Sequence, residues 1–162
     1  MLRIPWCLIL ALSVLGCARK PPYQGKSVAE LERMLRSSDA VTQAQGALGL
    51  SLLGAEAREA VPALTEALRS EHVLVRKNAA LALGHVGPDA RTAVPALTET
   101  LGDTEWTVRR QAAVALGEIG SDAASAAPAL GRLAKDPEHL VRQAARDALA
   151  KVRGQGATAA KK

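Results

Sequence analysis

Five residues of this chain return twice at one interval. Ala60-Val61-Pro62-Ala63-Leu64 recurs as Ala93-Val94-Pro95-Ala96-Leu97 and again as Ala126-Ala127-Pro128-Ala129-Leu130, 33 residues apart each time. A fixed period of this length constrains the fold more tightly than composition does. Each unit is one supersecondary element that cannot bury its apolar face alone, so it must stack on its neighbours. The second half of the unit keeps register: Val75-Arg76, Val108-Arg109 and Val141-Arg142 correspond, as do Leu83, Leu116 and Leu149. A fainter first unit aligns Val28, Leu31 and Leu35 with Val61, Leu64 and Leu68, giving four units: 27–59, 60–92, 93–125 and 126–153.

Within a unit two apolar stripes appear, one through Val61, Leu64 and Leu68 and one through Val75, Ala79, Leu83 and Val86. Both have the i, i+3, i+4, i+7 spacing of one helix face, so each unit reads as a helical hairpin and the chain as an all-α stack. Gly87-Pro88-Asp89 and Gly120-Ser121-Asp122 punctuate the hairpins. Glycine ends a second helix there, and Asp89 or Asp122 is expected to cap the next one. Pro62, Pro95 and Pro128 fall a few residues into the first helix and are expected to kink it. The chain has no Phe, one Tyr and two Trp. Burial must therefore come from many small Ala, Leu and Val contacts, which suits an extended stack better than a globule.

These residues resemble the short HEAT-like repeats also found in phycobilisome bilin lyase subunits, whose pattern combines a Pro in the first helix with Val-Arg, paired alanines and Leu-Gly in the second. The run Val108-Arg109-Arg110-Gln111-Ala112-Ala113-Val114-Ala115-Leu116-Gly117 carries it best. Ankyrin repeats share the period, but neither their Thr-Pro-Leu-His motif nor their turn-rich hairpin is present. The resemblance implies an α-solenoid of about four two-helix repeats. It also implies a ladder of hydrogen bonds between neighbouring units, from an Asp inside each hairpin and an Arg six residues later. Asp103 with Arg109 and Asp136 with Arg142 keep that spacing, Ser70 with Arg76 keeps half of it, and Ser37 with Gln43 has lost both charges. The ladder is thus expected to fade toward the N-terminus. End caps are expected from Thr42, Gln43 and Gln45 at one end and from Ala150 and Arg153 at the other, with residues 154–162 a disordered tail.

The first seventeen residues read as an address. Arg3 precedes an apolar run from Ile4 to Leu15, which has the form of a secretory signal and is too short for a stable membrane span. The sequence Leu12-Ser13-Val14-Leu15-Gly16-Cys17 resembles the lipobox of bacterial lipoproteins, although Val14 and Leu15 depart from its commonest residues. The resemblance implies that residues 1–16 are removed as a signal peptide and that Cys17 is lipidated. Residues 17–26 then become a lipidated N-terminus and tether, kept extended by Pro21 and Pro22. The expected location is the bacterial cell envelope. In a Gram-negative cell, Ala18 after the cysteine implies the outer membrane, facing the periplasm.

No catalytic constellation emerges. Both cysteines, Cys7 and Cys17, lie in the leader, and His72, His85 and His139 form neither a HExxH pair nor a His-Glu pair of the iron-binding HEAT-like hydroxylases. Neither an enzyme activity nor a metal or other cofactor is expected. The net charge of +5 is scattered rather than blocked, so nucleic acid is not an expected partner. What remains is binding to a protein or an envelope polymer, with membrane contact through the lipid. Lys77, Arg110 and Gln143 share one repeat position and would align into a partly basic stripe on the concave face. Trp106, placed in the loop of the third hairpin, is a candidate anchor. The alternative is an accessory subunit or enzyme of bilin-lyase type, acting on a tetrapyrrole-like ligand.

Overall fold

The computed structural model describes residues 21–154. The expected signal sequence, the expected lipidation site Cys17 and the tail from residue 155 onward lie outside the described residues. Eight α-helices succeed one another: α1 (Val28–Leu35), α2 (Ala40–Leu53), α3 (Val61–Ala67), α4 (Val73–Val86), α5 (Val94–Thr100), α6 (Trp106–Ile119), α7 (Ala127–Leu133) and α8 (His139–Val152). No strand occurs among the described residues. The fold is an all-α solenoid of four two-helix units.

The even-numbered helices pack side by side in one layer, α2 on α4, α4 on α6 and α6 on α8, with the shorter odd-numbered helices along one flank. Small side chains make this layer possible. Ala79, Ala80, Ala82, Ala112, Ala113 and Ala115 are fully buried. A Cβ placed on Gly84 would lie 3.1 Å from the Ala115 Cα, and one on Gly117 would lie 3.1 Å from the Ala148 Cα. Small residues at the crossing let neighbouring helices approach to the short end of the usual range of about 8–10 Å. Between these contacts Leu50, Leu83 and Leu116 fill the interior with no exposed surface.

The stop signals act as the sequence suggests. Gly54, Gly87 and Gly120 end α2, α4 and α6 with φ of 57°, 71° and 74°, a region that glycine enters without a Cβ penalty. The segments after these glycines differ from expectation in two respects. The first helix of a unit is composite, with 3₁₀ segments Gly54–Ala60, Gly87–Ala93 and Gly120–Ala126 leading directly into α3, α5 and α7. Pro62, Pro95 and Pro128 therefore stand in the first turn of a new α-helix, where the missing N–H costs nothing, and do not kink a continuous one. Asp89 and Asp122 lie inside the 3₁₀ segments and make no capping bond, because glycine itself turns the chain.

The first unit closes the stack by a different device from the one expected. α1 presses across α2 at Gly46 and Gly49: a Cβ on Gly46 would lie 2.7 Å from the Leu31 carbonyl oxygen, and one on Gly49 would collide with the Leu31 side chain. Thr42 and Gln43 serve local bonds instead of capping the stack. Thr42 donates its backbone N–H and its hydroxyl to Asp39, the N-cap of α2. Ser27 and Glu30 form a capping box that starts α1. Just before it, Pro21–Gly25 turns over, with the Gln24 N–H donating to the Pro21 carbonyl at 2.9 Å, so this end of the expected extended tether is folded down. Tyr23 packs against the core there. At the other end Arg146 and Asp147 are exposed where preceding units bury Ala113 and half-bury Val114, giving the stack a polar terminal face.

Candidate binding surface

Two constructions dominate the edge of the layer where the second helices begin. The first is a chain of charge-assisted bonds between units. Arg76 donates from Nε and Nη2 to both carboxylate oxygens of Asp103, at 2.7 and 2.9 Å. Arg109 does the same to Asp136, at 2.8 and 3.1 Å. The remaining guanidinium nitrogen turns back to the carbonyl six residues earlier: Ser70 for Arg76, Asp103 for Arg109 and Asp136 for Arg142. Arg76 and Arg109 thus each fix their own hairpin loop and grip the next one.

Bidentate pairing of this kind strengthens both bonds and fixes orientation. Asp136 is held below the usual carboxylate range, chiefly by the Arg109 hydrogen bonds against an opposing contribution from burial. For Asp103 burial is the largest influence and pushes upward. The bonds from Arg76 and the Glu105 N–H, with the charges of Arg76 and Arg109, outweigh it, so this carboxyl too is held low. Arg76, which the six-residue spacing marks as half a rung, has a full carboxylate partner in the following unit. Among the described residues no unit follows Arg142, which bonds to the Asp136 and Pro137 carbonyls. In the first gap Gln43 reaches the Ser37 carbonyl at 2.6 Å. Gln43 and Ser70 stand where the later gaps have Arg and Asp, so both charges are missing from the same gap.

The second construction is an apolar groove of about 530 Å³ between the N-terminal halves of α2 and α4, floored by Ala44, Leu48 and Val73 and flanked by Val41 and Leu74. Val41 is 63% exposed and Leu74 60%. Leu52, one helix turn beyond Leu48, is 67% exposed and extends the apolar surface along α2. Helix geometry explains the alignment, since positions 41, 45, 48 and 52 share one face of α2 and 74, 78, 81 and 85 the matching face of α4. The groove floor is fixed by Asn78, whose side-chain amide donates across to the Ala44 carbonyl at 3.0 Å. Farther along, His85 Nδ1 lies 2.7 Å from the Ser51 carbonyl, a second tie between the same two helices.

This surface changes character along the stack. Val41, Leu74 and Leu140 share a repeat position with Thr107, while Leu48, Leu81 and Val114 share one with Asp147. The continuous apolar face therefore belongs to the first two units; on α8 Leu140 is also 47% exposed, but Asp147 puts a charge at the Leu48 position. Val41, Leu52 and Leu74 thus form one exposed apolar patch on the first two units.

The residues singled out from sequence fall elsewhere. Lys77 is half-buried, and Arg110 and Gln143 are exposed at the equivalent places on α6 and α8. Gln143 belongs to a separate depression at the C-terminal end, with His139, Arg142 and Arg146. Trp106 is the first residue of α6, not a loop residue, and is 37% exposed. Sequence reasoning misses the groove because its leucines read as core. Comparing positions 41, 74 and 140 across units, against the fully buried 50, 83 and 116, is the signal that separates the two sets. Among the described residues, no three His, Cys, Asp or Glu side chains converge in a metal-binding cluster, and no helix is long and apolar enough to cross a membrane.

Comparison with known proteins agrees with this architecture. An engineered protein of known structure is 27% identical over 80% of this chain and 63% of its own length, with a TM-score of 0.66. Human deoxyhypusine hydroxylase, solved in complex with glycerol, is 31% identical over 83% of this chain but only 46% of its own, with a TM-score of 0.63. A designed armadillo repeat protein in complex with the peptide (KR)4 is 18% identical, covers 77% of this chain and 64% of its own, and has a TM-score of 0.68, a likeness of fold alone. The chain thus spans less than two thirds of each of these proteins. No curated protein sequence matches it. The sequence model for HEAT repeats matches residues 28–92 and 61–150. The chain belongs to the HEAT repeat family, as a helical-repeat scaffold of the kind typical of protein interaction.

Proposed function

We propose that this protein is a lipid-anchored scaffold of the bacterial cell envelope that captures a segment of a partner protein on the exposed face of α2 and α4. The observation that carries the binding half is the apolar groove, with its rigid floor and its exposed rims at Val41 and Leu74. Side chains already held in place bind at a smaller entropic cost than mobile ones. The anchoring half rests on the sequence alone, on Gly16-Cys17 at the end of the apolar run; if the cell is Gram-negative, Ala18 after the cysteine points to the outer membrane, facing the periplasm. Lys77 on α4, Arg110 on α6 and Gln143 on α8 follow one another along the same layer and would meet polar parts of a partner that extends beyond the groove.

The related structures allow either a binder or an enzyme. The designed armadillo protein holds a peptide, and the human hydroxylase is a catalyst. The groove presents no cysteine and no paired carboxylates, so nothing in it favours action on a tetrapyrrole-like ligand by a member of the bilin-lyase type. The test is a crosslinked capture from envelope membranes with the native chain, Leu74→Asp and Cys17→Ala, joined to mass analysis of the N-terminus. A species retained by the native chain and lost with Leu74→Asp supports capture by the groove. A diacylated Cys17, with Cys17→Ala released from the membrane, supports the anchor. Equal recovery by native and Leu74→Asp chains overturns the groove as the binding surface.

A further inference from the structure

The last described unit carries an arginine that is held in place like its two predecessors but lacks what they hold. Each of the three guanidinium groups is anchored through Nη1 to two carbonyls of its own hairpin loop. Arg76 reaches Ser70 and Glu71 at 2.9 and 3.1 Å, and Arg109 reaches Asp103 and Thr104 at 2.9 and 3.0 Å. Arg142 reaches Asp136 and Pro137 at 2.8 and 2.7 Å. A guanidinium is planar, so fixing Nη1 in the same way fixes where the edge formed by Nε and Nη2 faces. In Arg76 and Arg109 that edge holds both oxygens of an aspartate. In Arg142 neither Nε nor Nη2 has an acceptor among the described residues.

The geometry points to a binding site at the start of α8 for an acidic turn of a partner protein, whose aspartate takes the Nε and Nη2 edge of Arg142. This site is independent of the groove on α2 and α4.

The two closed bridges define the chemistry of the occupant. Asp103 and Asp136 each give Oδ2 to Nε and Oδ1 to Nη2. Oδ1 also accepts the N–H of the residue two further on, Glu105 or Glu138, at 2.9 Å. Those glutamates are the N-caps of α6 and α8. The segment that fits is therefore an Asp-X-Glu turn leading into a helix, in which the aspartate is already oriented when it meets the arginine. Arg142 is itself held by its loop, so little side-chain freedom is lost on binding. Two parallel N–H···O bonds select a planar carboxylate over a simple point charge.

The surroundings suit such a partner. Arg142 shares a depression of about 270 Å³ with His139, Gln143 and Arg146, and Asp147 is the one carboxylate that lines it. Arg146 is exposed at the position where Ala80 and Ala113 are buried, so a second guanidinium stands beside the site. Leu140, 47% exposed, lies on one helix face with Gln143 and Asp147. It offers a protein an apolar contact next to the charge that a small carboxylate would not use.

Magnetic resonance of the isotope-labelled full chain follows each arginine Nε–H group separately. The probes are a capped peptide with the sequence of residues 133–139, which carries Asp136-Pro137-Glu138, the same peptide with Asp136→Asn, and acetate. The Arg142 resonance is expected to move saturably with the first peptide and at least about fivefold less with the second. Arg76 and Arg109, whose edges are occupied, should stay in place. Arg142→Lys keeps the charge but loses the planar fork. At a temperature where both chains stay folded, it should reduce the response of Arg146 to the first peptide at least about fivefold.

Equal responses to both peptides, or a response at Arg142 no larger than at the exposed Arg91, would reduce the effect to charge alone and overturn the site. Saturation by acetate at the same carboxylate concentration would make it a small-anion site and overturn the protein partner. An Arg142 resonance that no probe moves would show its edge already taken, which also overturns the proposal.

Discussion

The first unit and the three after it are built from one repeat but hold themselves together differently. From α3 onward, successive units are joined by Arg–Asp bridges at the loop edge and by glycine-on-alanine contacts in the second-helix layer. The first gap has no such bridge; there Asn78 and His85 reach the Ala44 and Ser51 carbonyls, and within the first unit α1 lies hard on Gly46 and Gly49. The same unit carries the exposed Val41 and Leu52. Where the repeat is most regular its side chains serve stacking, and where it departs from the pattern they are free to present a surface. In a stack whose stability is a sum of neighbour terms, the end unit can give up one such term without unravelling the rest.

Substitutions can break this comparison in order of size. The largest effect belongs to the shared leucine position. Leu116→Ala should cost roughly 2–5 kcal/mol, read by denaturant titration, because the side chain is fully buried and neighbours on both sides restrict collapse. Leu149→Ala, at the same position in the half-exposed last unit, should cost distinctly less. Equal losses would mean that the terminal unit is packed as tightly as the interior.

Next come the bridges. Asp136→Asn should cost about 1–3 kcal/mol by leaving Arg109 without its carboxylate in a partly buried place. Since Asp103 and Asp136 are both held below their ordinary values, their contribution is present above the unfolded carboxylate pKa of about 4 and is lost as pH falls through the lower folded value. A titration from neutral pH down to about pH 2 should therefore show the native chain losing more stability than Asp136→Asn. Parallel curves would remove the bridge from the account.

The glycines give a pair of opposite signs. Gly46→Ala forces a Cβ against the backbone of α1 and should destabilise by roughly 1–3 kcal/mol. Gly131→Ala faces open space inside α7 and should stabilise by up to about 1 kcal/mol. A neutral Gly46→Ala would show that α1 rides loosely and does not close the stack. The smallest effect on stability, within about 0.5 kcal/mol, is expected for Leu74→Asp on the exposed rim. That same change should weaken capture of a partner at least tenfold.

Much of the fold was legible because a repeat declares its own alignment. The recurring Pro, Val-Arg and Leu positions mark which residues are equivalent, and Gly87 and Gly120 mark where helices stop. The composite first helix was not legible, since 3₁₀ and α segments place their apolar residues almost alike and differ only in hydrogen-bond register. The Asp and Arg six residues apart could be read as partners, yet the carboxylate that Arg109 grips lies 27 residues ahead, and only its carbonyl bond goes back to Asp103. The groove was hidden because Leu48 and Leu74 are apolar like the core leucines. Whether a leucine is covered depends on what packs above it, and no window of a single helix contains that neighbour.

By itself the sequence determined the number of units, the helical hairpin, the small-residue faces and the places where chain direction reverses. These follow from local periodicity and backbone preference, which each unit repeats independently. Tertiary structure decided how α1 closes the stack, which carboxylate each arginine takes, and that Val41, Leu52 and Leu74 remain uncovered. Those outcomes belong to pairs of units, because burial and ion pairing depend on the distance between segments that only stacking brings together.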